Sequence, residues 1–221
     1  MHACTVAIVV ALALAASVAP AQARSHHHHH ARSNQPGVFD YYVLSLSWSP
    51  QHCASHDTSS GDPQCDSHRQ YGFVAHGLWP QYESGFPQSC ASGGVDQTVV
   101  DSVIDIMPSP TLIRHEWAKH GTCSGMNPAA YFGTVRAAYN SVTIPAAYQN
   151  PTKALRTPVS QVKHEFEQAN SGIVGNELTV LCSGKFLQEV RVCLDKNLHP
   201  RGCSREVRDH CGNEVVVRPM R

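Results

Sequence analysis

The chain has 221 residues, which is enough for one domain with a sizeable hydrophobic core. Only 15% of the residues are charged, and 17 Lys and Arg balance 17 Asp and Glu. This balance argues against a globally basic nucleic-acid-binding protein, although it allows a local positive groove. Histidine is unusually frequent: the chain has fifteen, and five of them form the run 26–30.

The N-terminal segment is typical of an exported protein. Residues 3–19 are almost continuously apolar, and Ala21-Gln22-Ala23 matches a small-residue cleavage site. We predict that residues 1–23 are a signal peptide and that the mature protein is secreted or periplasmic. A membrane anchor is the alternative, but the run is short for a span and no later stretch could cross a bilayer. The mature chain is therefore expected to have no membrane contact.

The segment 24–37 contains the histidine run and is predicted to be a disordered lead-in, in which the run resembles an inserted tag. The folded domain is predicted to span 38–221. Signal cleavage would remove Cys4 and leave eight cysteines, an even number in an exported chain. This number predicts four disulfides and an oxidising compartment. Metal binding by the cysteines is disfavoured, because no C-x-x-C pair occurs.

The first half of the domain is predicted to consist of strands and loops. An aromatic and β-branched run predicts a strand over 39–48, followed by a loop over 51–69. A second buried strand is predicted over 71–76. Residues 77–81 then favour a turn, and 82–94 favour a loop.

The second half is richer in helices. Apolar spacing predicts a helix over 96–107 that ends before Pro108, and a short helix follows near 114–120. The remaining predicted elements are helices with Asn-Pro and Thr-Pro starts over 127–140 and 157–170, a β-hairpin over 177–194 and a last strand over 215–217. Together they predict an α+β fold, with helices packed mainly on one side of an antiparallel sheet.

The short helix near 114–120 carries an unusual group of charged and titratable side chains. On a helix, Glu116 and His120 share one face, and His115 and Lys119 share another. The two histidines diverge by about 140° because they are five residues apart. The side chains therefore form a polar fan and not a two-histidine metal clamp.

A further histidine, His76, ends the predicted second strand, where catalytic side chains are common. Two histidines that titrate near neutral pH can act as an acid–base pair, so His76 and His120 are candidates for proton transfer. The cations of Lys119 and a second histidine could stabilise charge on a phosphate. This equipment suits phosphodiester transfer to an internal 2′-hydroxyl, a reaction that carries its own nucleophile. Trp79 and Phe86 offer flat surfaces for stacking a base.

Two other classes of function stay open: a secreted metal-dependent hydrolase and a recognition or toxin-like protein. A zinc hydrolase would need H-E-x-x-H, whereas the spacing over 115–120 is one residue too long and includes a lysine. A Ser-His-Asp hydrolase lacks its G-x-S-x-G turn. A recognition or toxin-like protein without essential catalysis is the remaining alternative.

Two segments resemble the active-site segments of the T2-type secreted ribonucleases. They are His76-Gly77-Leu78-Trp79-Pro80-Gln81 and His115-Glu116-Trp117-Ala118-Lys119-His120-Gly121-Thr122-Cys123, about 40 residues apart. The resemblance implies an α+β fold and metal-independent endoribonuclease activity without a cofactor. It also implies single-stranded RNA as the substrate, with DNA excluded for lack of the 2′-hydroxyl. We expect a monomer.

The resemblance also implies a role for each catalytic position. His120 would be the base on the 2′-hydroxyl and His76 the acid for the leaving 5′-oxygen, although the residues alone leave this order open. His115 would bind the phosphate. Glu116 and Lys119 would orient and neutralise the phosphate in the pentavalent state.

For the substrate base, the resemblance makes Trp79 a stacking residue and places Phe86 near a second aromatic contact. Gln81 departs from an aspartate found in some adenine-preferring members, so no base preference is predicted. The implied disulfides are Cys53–Cys65, Cys90–Cys123, Cys182–Cys211 and Cys193–Cys203; spacing alone would allow 105 pairings of eight cysteines.

Overall fold

The structure, a computed structural model, describes residues 1–2, 34–55, 61–65 and 69–220. The predicted signal peptide beyond its first two residues and the histidine run lie outside this set. The described residues from 34 onwards belong to one compact unit. In the described part of the chain, no helix combines the length and the apolar character that a membrane crossing requires.

The described residues form six strands and five α-helices. The strands are β1 (Tyr41–Trp48), β2 (Phe73–Gln81), β3 (Leu155–Pro158), β4 (Leu178–Ser183), β5 (Phe186–Leu194) and β6 (Glu214–Val217). The helices are α1 (Ser49–Ser55), α2 (Gln97–Asp101), α3 (Pro110–Lys119), α4 (Pro128–Asn140) and α5 (Val159–Ala169). The predicted α+β class is confirmed.

The strands form one sheet in the order β2-β1-β5-β6-β3, and β4 pairs with β5 outside this path. Four of the pairings are antiparallel, whereas β5 and β6 meet in parallel at Phe186 and Val216. The β4–β5 pair is the predicted hairpin. Its turn contains Gly184 at φ +58°, a left-handed conformation that glycine adopts without strain.

Helices cover one face of the sheet. Alternate residues of β1 point into the main core, from Tyr42 through Leu44 and Leu46 to Trp48. Helix residues that complete this core include Val100, Ile113, Phe132, Val135, Val162 and Phe166. The opposite face of the sheet carries a small second cluster of Tyr41, Val43 and Cys193. Helices on one side leave this second face open for a cleft.

The predicted turn over 77–81 is wrong, because β2 continues through it as the strand at one end of the sheet order. The register pairs Ser45 with Gly77 and Leu46 with Ala75, so His76 is an extra residue between them. This irregularity is a β-bulge. Pro80 is tolerated because an edge strand can lack one ladder donor.

The predicted helix over 96–107 is also too long, since α2 ends at Asp101. The following residues form turns with shorter-range bonds, such as the one from the Ile106 N–H to the Val103 carbonyl. The Ile106 carbonyl accepts a hydrogen bond from the Ala75 N–H of β2. This hydrogen bond joins the end of the segment to β2.

Two smaller corrections concern helix starts. The predicted loop over 51–69 begins inside α1, which starts at Ser49. The predicted cap at Thr157-Pro158 lies in β3, and α5 starts without a side-chain cap. In contrast, α4 agrees with its predicted range.

Candidate active site

The bulge in β2 places two of the predicted site residues on one face of the sheet. On a regular strand, residues three apart point to opposite faces. The extra residue reverses this alternation, so Leu78 points into the core while His76 and Trp79 line the same cleft. A Cβ on Gly77 would overlap the Glu116 carboxylate and the Trp79 indole nitrogen, so this position needs a glycine.

Helix α3 carries the other catalytic candidates. Its start is defined by Ser109, whose hydroxyl accepts a hydrogen bond from the Leu112 N–H at 3.3 Å, and by Pro110 as the first residue. His120 is the C-cap, and its backbone N–H donates to the Glu116 carbonyl at 2.9 Å. The chain then tightens into a 3-10 turn over Gly121–Ser124.

The end of α3 is fastened to the loop that follows β2. The Cys90–Cys123 disulfide joins the loop to the 3-10 turn. Beside it, the Ser89 N–H donates to the Lys119 carbonyl at 2.8 Å. All four disulfides are the pairs that the resemblance implies: Cys53–Cys65, Cys90–Cys123, Cys182–Cys211 and Cys193–Cys203.

These elements line a cleft of about 390 Å³ on the face of the sheet opposite the main core, with α3 along one wall. The seven predicted catalytic and base-binding residues all line it: His76, Trp79, Phe86, His115, Glu116, Lys119 and His120. The remaining lining residues are Val43, Gln81, Arg191, Glu206 and Val207. Three strands (β1, β2 and β5), a helix and two loops thus bring together residues that are far apart in the sequence.

Glu116 lies at the centre of the cleft wall and is 2% exposed. Its Oε2 accepts a hydrogen bond from the Trp79 indole N–H at 2.6 Å, and its Oε1 is 3.7 Å from His76 Nε2. Burial raises the pKa of Glu116, although His76, Trp79 and Lys119 oppose the shift. The carboxylate therefore holds the indole and lies against the acid–base candidate.

His76 is held from its other side by Glu189. The distance from His76 Nδ1 to Glu189 Oε1 is 2.9 Å. Burial alone would lower the pKa of His76, but the Glu189 hydrogen bond and charge, together with Glu116, raise it above its usual value. The surroundings of His76 thus favour its protonated form.

Glu189 and Arg191 were not predicted as site residues. Glu189 is 5% exposed, and its Oε2 accepts from Arg191 Nε at 2.9 Å and Nη2 at 2.7 Å. Burial opposes ionisation, but the His76 and Arg191 interactions lower the pKa of Glu189 to about 2. The sequence offered one signal: two opposite charges at i and i+2 inside the mostly apolar strand β5.

His120 lies between two aromatic rings and is 5% exposed. Its ring stacks on Trp79 at a centroid distance of 5.2 Å and lies 6.0 Å from Phe86. Burial, followed by the charges of Lys119, His115 and His76, lowers the pKa of His120 to about 3. This environment favours the neutral imidazole, the form that can accept a proton.

The two cationic candidates lie at the rim. His115 is exposed and Lys119 is half-buried, one helical turn apart along α3 as predicted. A phosphate in the cleft could approach both without leaving solvent entirely. The site thus combines one histidine that favours the protonated form, one that favours the neutral form, a lysine and a histidine at the rim, and flat aromatic surfaces.

One group of possible metal ligands is present among the described residues, and it lies elsewhere. His52, Asp62 and Cys65 have ligand atoms close together, but the Cys65 sulfur belongs to the disulfide with Cys53. None of these residues lines the cleft. This group is therefore separate from the cleft, where the charged and titratable side chains of α3 lie.

Comparison with known proteins agrees with this geometry. The family model described as the Ribonuclease T2 family matches residues 39–203, about three quarters of the chain and all of α3 and β5. The chain belongs to the Ribonuclease T2 family. The two histidine segments on which the resemblance was based both lie inside the matched range.

Curated relatives of this Ribonuclease T2 family chain come from bacteria and eukaryotes. A ribonuclease of Aeromonas hydrophila is 50% identical over 93 residues, 42% of this chain and 41% of that protein. Ribonuclease DdI of Dictyostelium discoideum is 26% identical over 179 residues, 75% of this chain and 78% of that protein. The chain spans less than half the length of the bacterial relatives from Aeromonas hydrophila and Haemophilus influenzae that it matches.

Solved structures show the same fold. An RNase-related protein from Calystegia sepium superimposes with a TM-score of 0.65 at 23% identity, covering 82% of this chain and 98% of that one. A variant of RNase MC1 in complex with 5′-UMP gives a TM-score of 0.64 at 24% identity, covering 80% and 97%. At these identities the likeness establishes the Ribonuclease T2 fold.

Proposed function

We propose that this protein is an endoribonuclease that cleaves single-stranded RNA by transesterification through a 2′,3′-cyclic phosphate. The observation that carries the proposal is a pair of imidazoles with opposite proton preferences that both contact one indole. The ring centroids of His76 and His120 lie 5.3 Å and 5.2 Å from that of Trp79. Both histidines can therefore reach a single nucleotide.

The first half of the reaction makes the cyclic phosphate. Neutral His120 removes the proton from the 2′-hydroxyl, whose oxygen attacks the adjacent phosphorus. Protonated His76 gives a proton to the departing 5′-oxygen as the phosphorus–oxygen bond breaks. His115 and Lys119 lie where they can neutralise the charge that accumulates on the phosphoryl oxygens.

The second half of the reaction opens the ring. The histidines exchange roles, since His76 is now neutral and His120 is protonated, and water is added to give a 3′-phosphate. The 2′-hydroxyl supplies the nucleophile in the first half and water supplies it in the second. The proposal therefore needs no metal or cofactor.

The base of the substrate would stack in the aromatic part of the cleft. The Trp79 indole is fixed by Glu116, whereas Phe86 is 46% exposed on the loop that follows β2 and can cover a bound base. Structures of related proteins that contain 5′-UMP, 5′-GMP and 5′-AMP support nucleotide binding in this fold. Gln81 and Glu206 line the same cleft, and their polar side-chain atoms would contact the edge of the base.

We also infer that the protein works outside the cytoplasm as a monomer. The signal-like segment over 1–23 and the four disulfides support export, because such bridges persist in oxidising compartments. We propose that the catalytic domain spans residues 38–221. Cell fractionation and size-exclusion chromatography of the mature protein test these inferences.

Product analysis on a defined single-stranded RNA, with EDTA present, tests the function. We expect cleavage to give 2′,3′-cyclic phosphate ends that convert slowly to 3′-phosphates. A matched oligonucleotide with one 2′-deoxy residue should resist cleavage at that residue alone. Comparable cleavage of the deoxy site, or complete loss of activity with EDTA, would contradict the mechanism.

A further inference from the structure

The strand behind the catalytic cleft carries a buried ion pair that contacts one of the two histidines. Glu189 and Arg191 lie on the cleft-facing side of β5, a strand that is hydrogen-bonded to β1 on one side and β4 on the other. Glu189 pairs with Ser47 of β1 and with Leu181 of β4. Glu189 therefore lies on an interior strand of the sheet, where hydrogen bonds on both sides restrict the backbone.

Each oxygen of this carboxylate has a separate partner. Oε2 of Glu189 accepts both the Nε and Nη2 hydrogens of Arg191, at 2.9 and 2.7 Å. Oε1 is left for His76 Nδ1 at 2.9 Å. Arg191 in turn lies over the Trp79 indole, with its Cζ 4.9 Å from the ring centroid. The carboxylate can thus rotate little without losing an ionic hydrogen bond.

We propose that Glu189, clamped by Arg191, is a positioning residue that fixes the His76 ring with Nδ1 protonated and with Nε2 presented to the cleft as the proton donor. The inference rests on the proposed function, in which His76 is the acid. Neither Glu189 nor Arg191 belongs to either of the two histidine segments. The arrangement follows a general rule by which a carboxylate behind an imidazole sets its tautomer and direction.

Several charged groups besides Glu189 act on His76. Glu116, on α3, faces Nε2 at 3.7 Å and favours the protonated ring. Arg191, on β5, opposes protonation. His120 at the end of α3 also interacts with His76. Because Glu116 remains in place, removal of the Glu189 charge should lower the pKa of His76 without abolishing the protonated form.

The test is Glu189→Gln, which keeps a hydrogen-bond acceptor of the same size and removes the charge. We expect the alkaline limb of the kcat profile to move to lower pH by about one unit or more, as for loss of a neighbouring carboxylate. At neutral pH, kcat should fall about 10- to 100-fold with a small change in KM. An alkaline limb at its wild-type position would overturn the proposal.

Glu214→Gln is the matched control. Glu214 lies on β6, next to β5 in the sheet order, and its ion pair with Arg156 is exposed. This variant should keep the wild-type profile. Glu189→Asp provides a second comparison, because it restores the charge on a shorter side chain: the alkaline limb should return towards wild type while kcat stays reduced.

A substrate with a good leaving group separates positioning of the acid from general damage to the cleft. A uridine 3′-phosphate ester of 4-nitrophenol needs little proton donation when its phosphate bond breaks. The Glu189→Gln defect should therefore be much smaller on this ester than on a dinucleotide. Equal defects on both substrates would show that Glu189 does not act through His76.

Proton chemistry of the free protein gives a readout that does not depend on catalysis. Nitrogen-15 NMR of His76 should show Nδ1 protonated in the neutral ring of the wild type, and titration should show a lower pKa in Glu189→Gln. If wild-type protein fails to cleave RNA but these shifts occur, the proposed function and the proton-donor role of His76 fail, whereas the effect of Glu189 on the tautomer and pKa of His76 stands. If cleavage occurs and the shifts do not, the positioning inference fails alone.

Discussion

The two central histidines differ in the partners that surround them. His76 has a carboxylate on each side, Glu189 at Nδ1 and Glu116 near Nε2. His120 has aromatic rings, and its Nδ1 is buried with no hydrogen-bond partner in the described part of the chain. Carboxylates stabilise an imidazolium, whereas apolar burial disfavours it. The contrast supports His76 as the acid and His120 as the base.

Removal of either imidazole should be far more damaging than removal of the rim ammonium. We expect His76→Ala and His120→Ala each to reduce kcat/KM for RNA by about 10²–10⁴-fold, because each removes a proton-transfer group. Lys119→Ala should have a smaller effect, since it removes charge stabilisation alone. Steady-state kinetics on a dinucleotide, with circular dichroism to verify folding, measures this order. Equal losses in all three variants would show that the roles are wrongly assigned.

The pH profile should be bell-shaped, with one limb from each histidine. Activity is lost at low pH when His120 becomes protonated and at high pH when His76 loses its proton. Since Lys119 lowers the pKa of His120, Lys119→Ala should move the acidic limb to higher pH and leave the alkaline limb in place. Lys163→Ala, which removes an ion pair with Asp209 outside the cleft, should change neither limb.

The β2 strand shows how one element can direct its side chains by a single irregularity. Its bulge turns Leu78 into the core and aligns His76 with Trp79 in the cleft. The bulge also brings Gly77 against α3, too close for any side chain. Glycine at this position is therefore required by the approach of Glu116 and Trp79.

A methyl group at Gly77 should disturb the site directly. Gly77→Ala places its Cβ on the Glu116 carboxylate and the Trp79 indole, so we expect kcat/KM to fall at least about tenfold, with destabilisation of about 1–3 kcal/mol. Gly133→Ala on α4 is the control, because its Cβ meets nothing and alanine favours a helix by about 1 kcal/mol. Unchanged kinetics in Gly77→Ala would contradict the close packing.

The loop after β2 is linked covalently to the 3-10 turn that follows α3. Replacing Cys90 and Cys123 together by serine should lower the free energy of unfolding by about 2–5 kcal/mol. It should also raise KM, because Phe86 lies on the released loop. Denaturant unfolding and kinetics on a dinucleotide measure both effects.

Loss of Cys53–Cys65 separates these two consequences. This bridge lies outside the residues that line the cleft, so its removal should reduce stability and leave KM at the wild-type value once the protein is folded. An increase in KM in this variant as well would mean that general destabilisation, and not release of the Phe86 loop, weakens substrate binding.

The molecule as a whole should lose stability in acid. The pKa of His120 is about 3 in the folded state, against a usual value near 6.5, so the unfolded chain takes up this proton first as the pH falls. The associated stability is present above about pH 6.5 and lost as the pH falls towards 3. Glu189, with a pKa of about 2, adds a further loss below about pH 4.5.

His120→Phe isolates the larger of these contributions. The variant keeps an aromatic ring and removes the titrating nitrogen atoms, so its unfolding free energy should fall less steeply than that of the wild type between pH 6.5 and 4. Urea unfolding at several pH values gives the two curves. Parallel curves over this interval would mean that His120 does not stay neutral in the folded protein.

Some features of the fold followed directly from local patterns. The alternation of β1, the hairpin of β4 and β5 and the Asn127 start of α4 depend on neighbouring residues, and all three were predicted correctly. The extension of β2 and the early end of α2 were not. Both depend on hydrogen bonds with distant backbone, such as the one from Ala75 to Ile106.

The sequence by itself determined the family and the α+β class, and it identified seven of the twelve residues that line the cleft. Six of these seven lie in two contiguous segments of distinctive spacing. The tertiary structure alone decided that Glu189 and Arg191 stand behind His76, 113 residues away from it in the case of Glu189. It also decided the opposite proton preferences of the two histidines. Burial and neighbouring charge set a pKa, and both arise only when the sheet, α3 and the loops have come together.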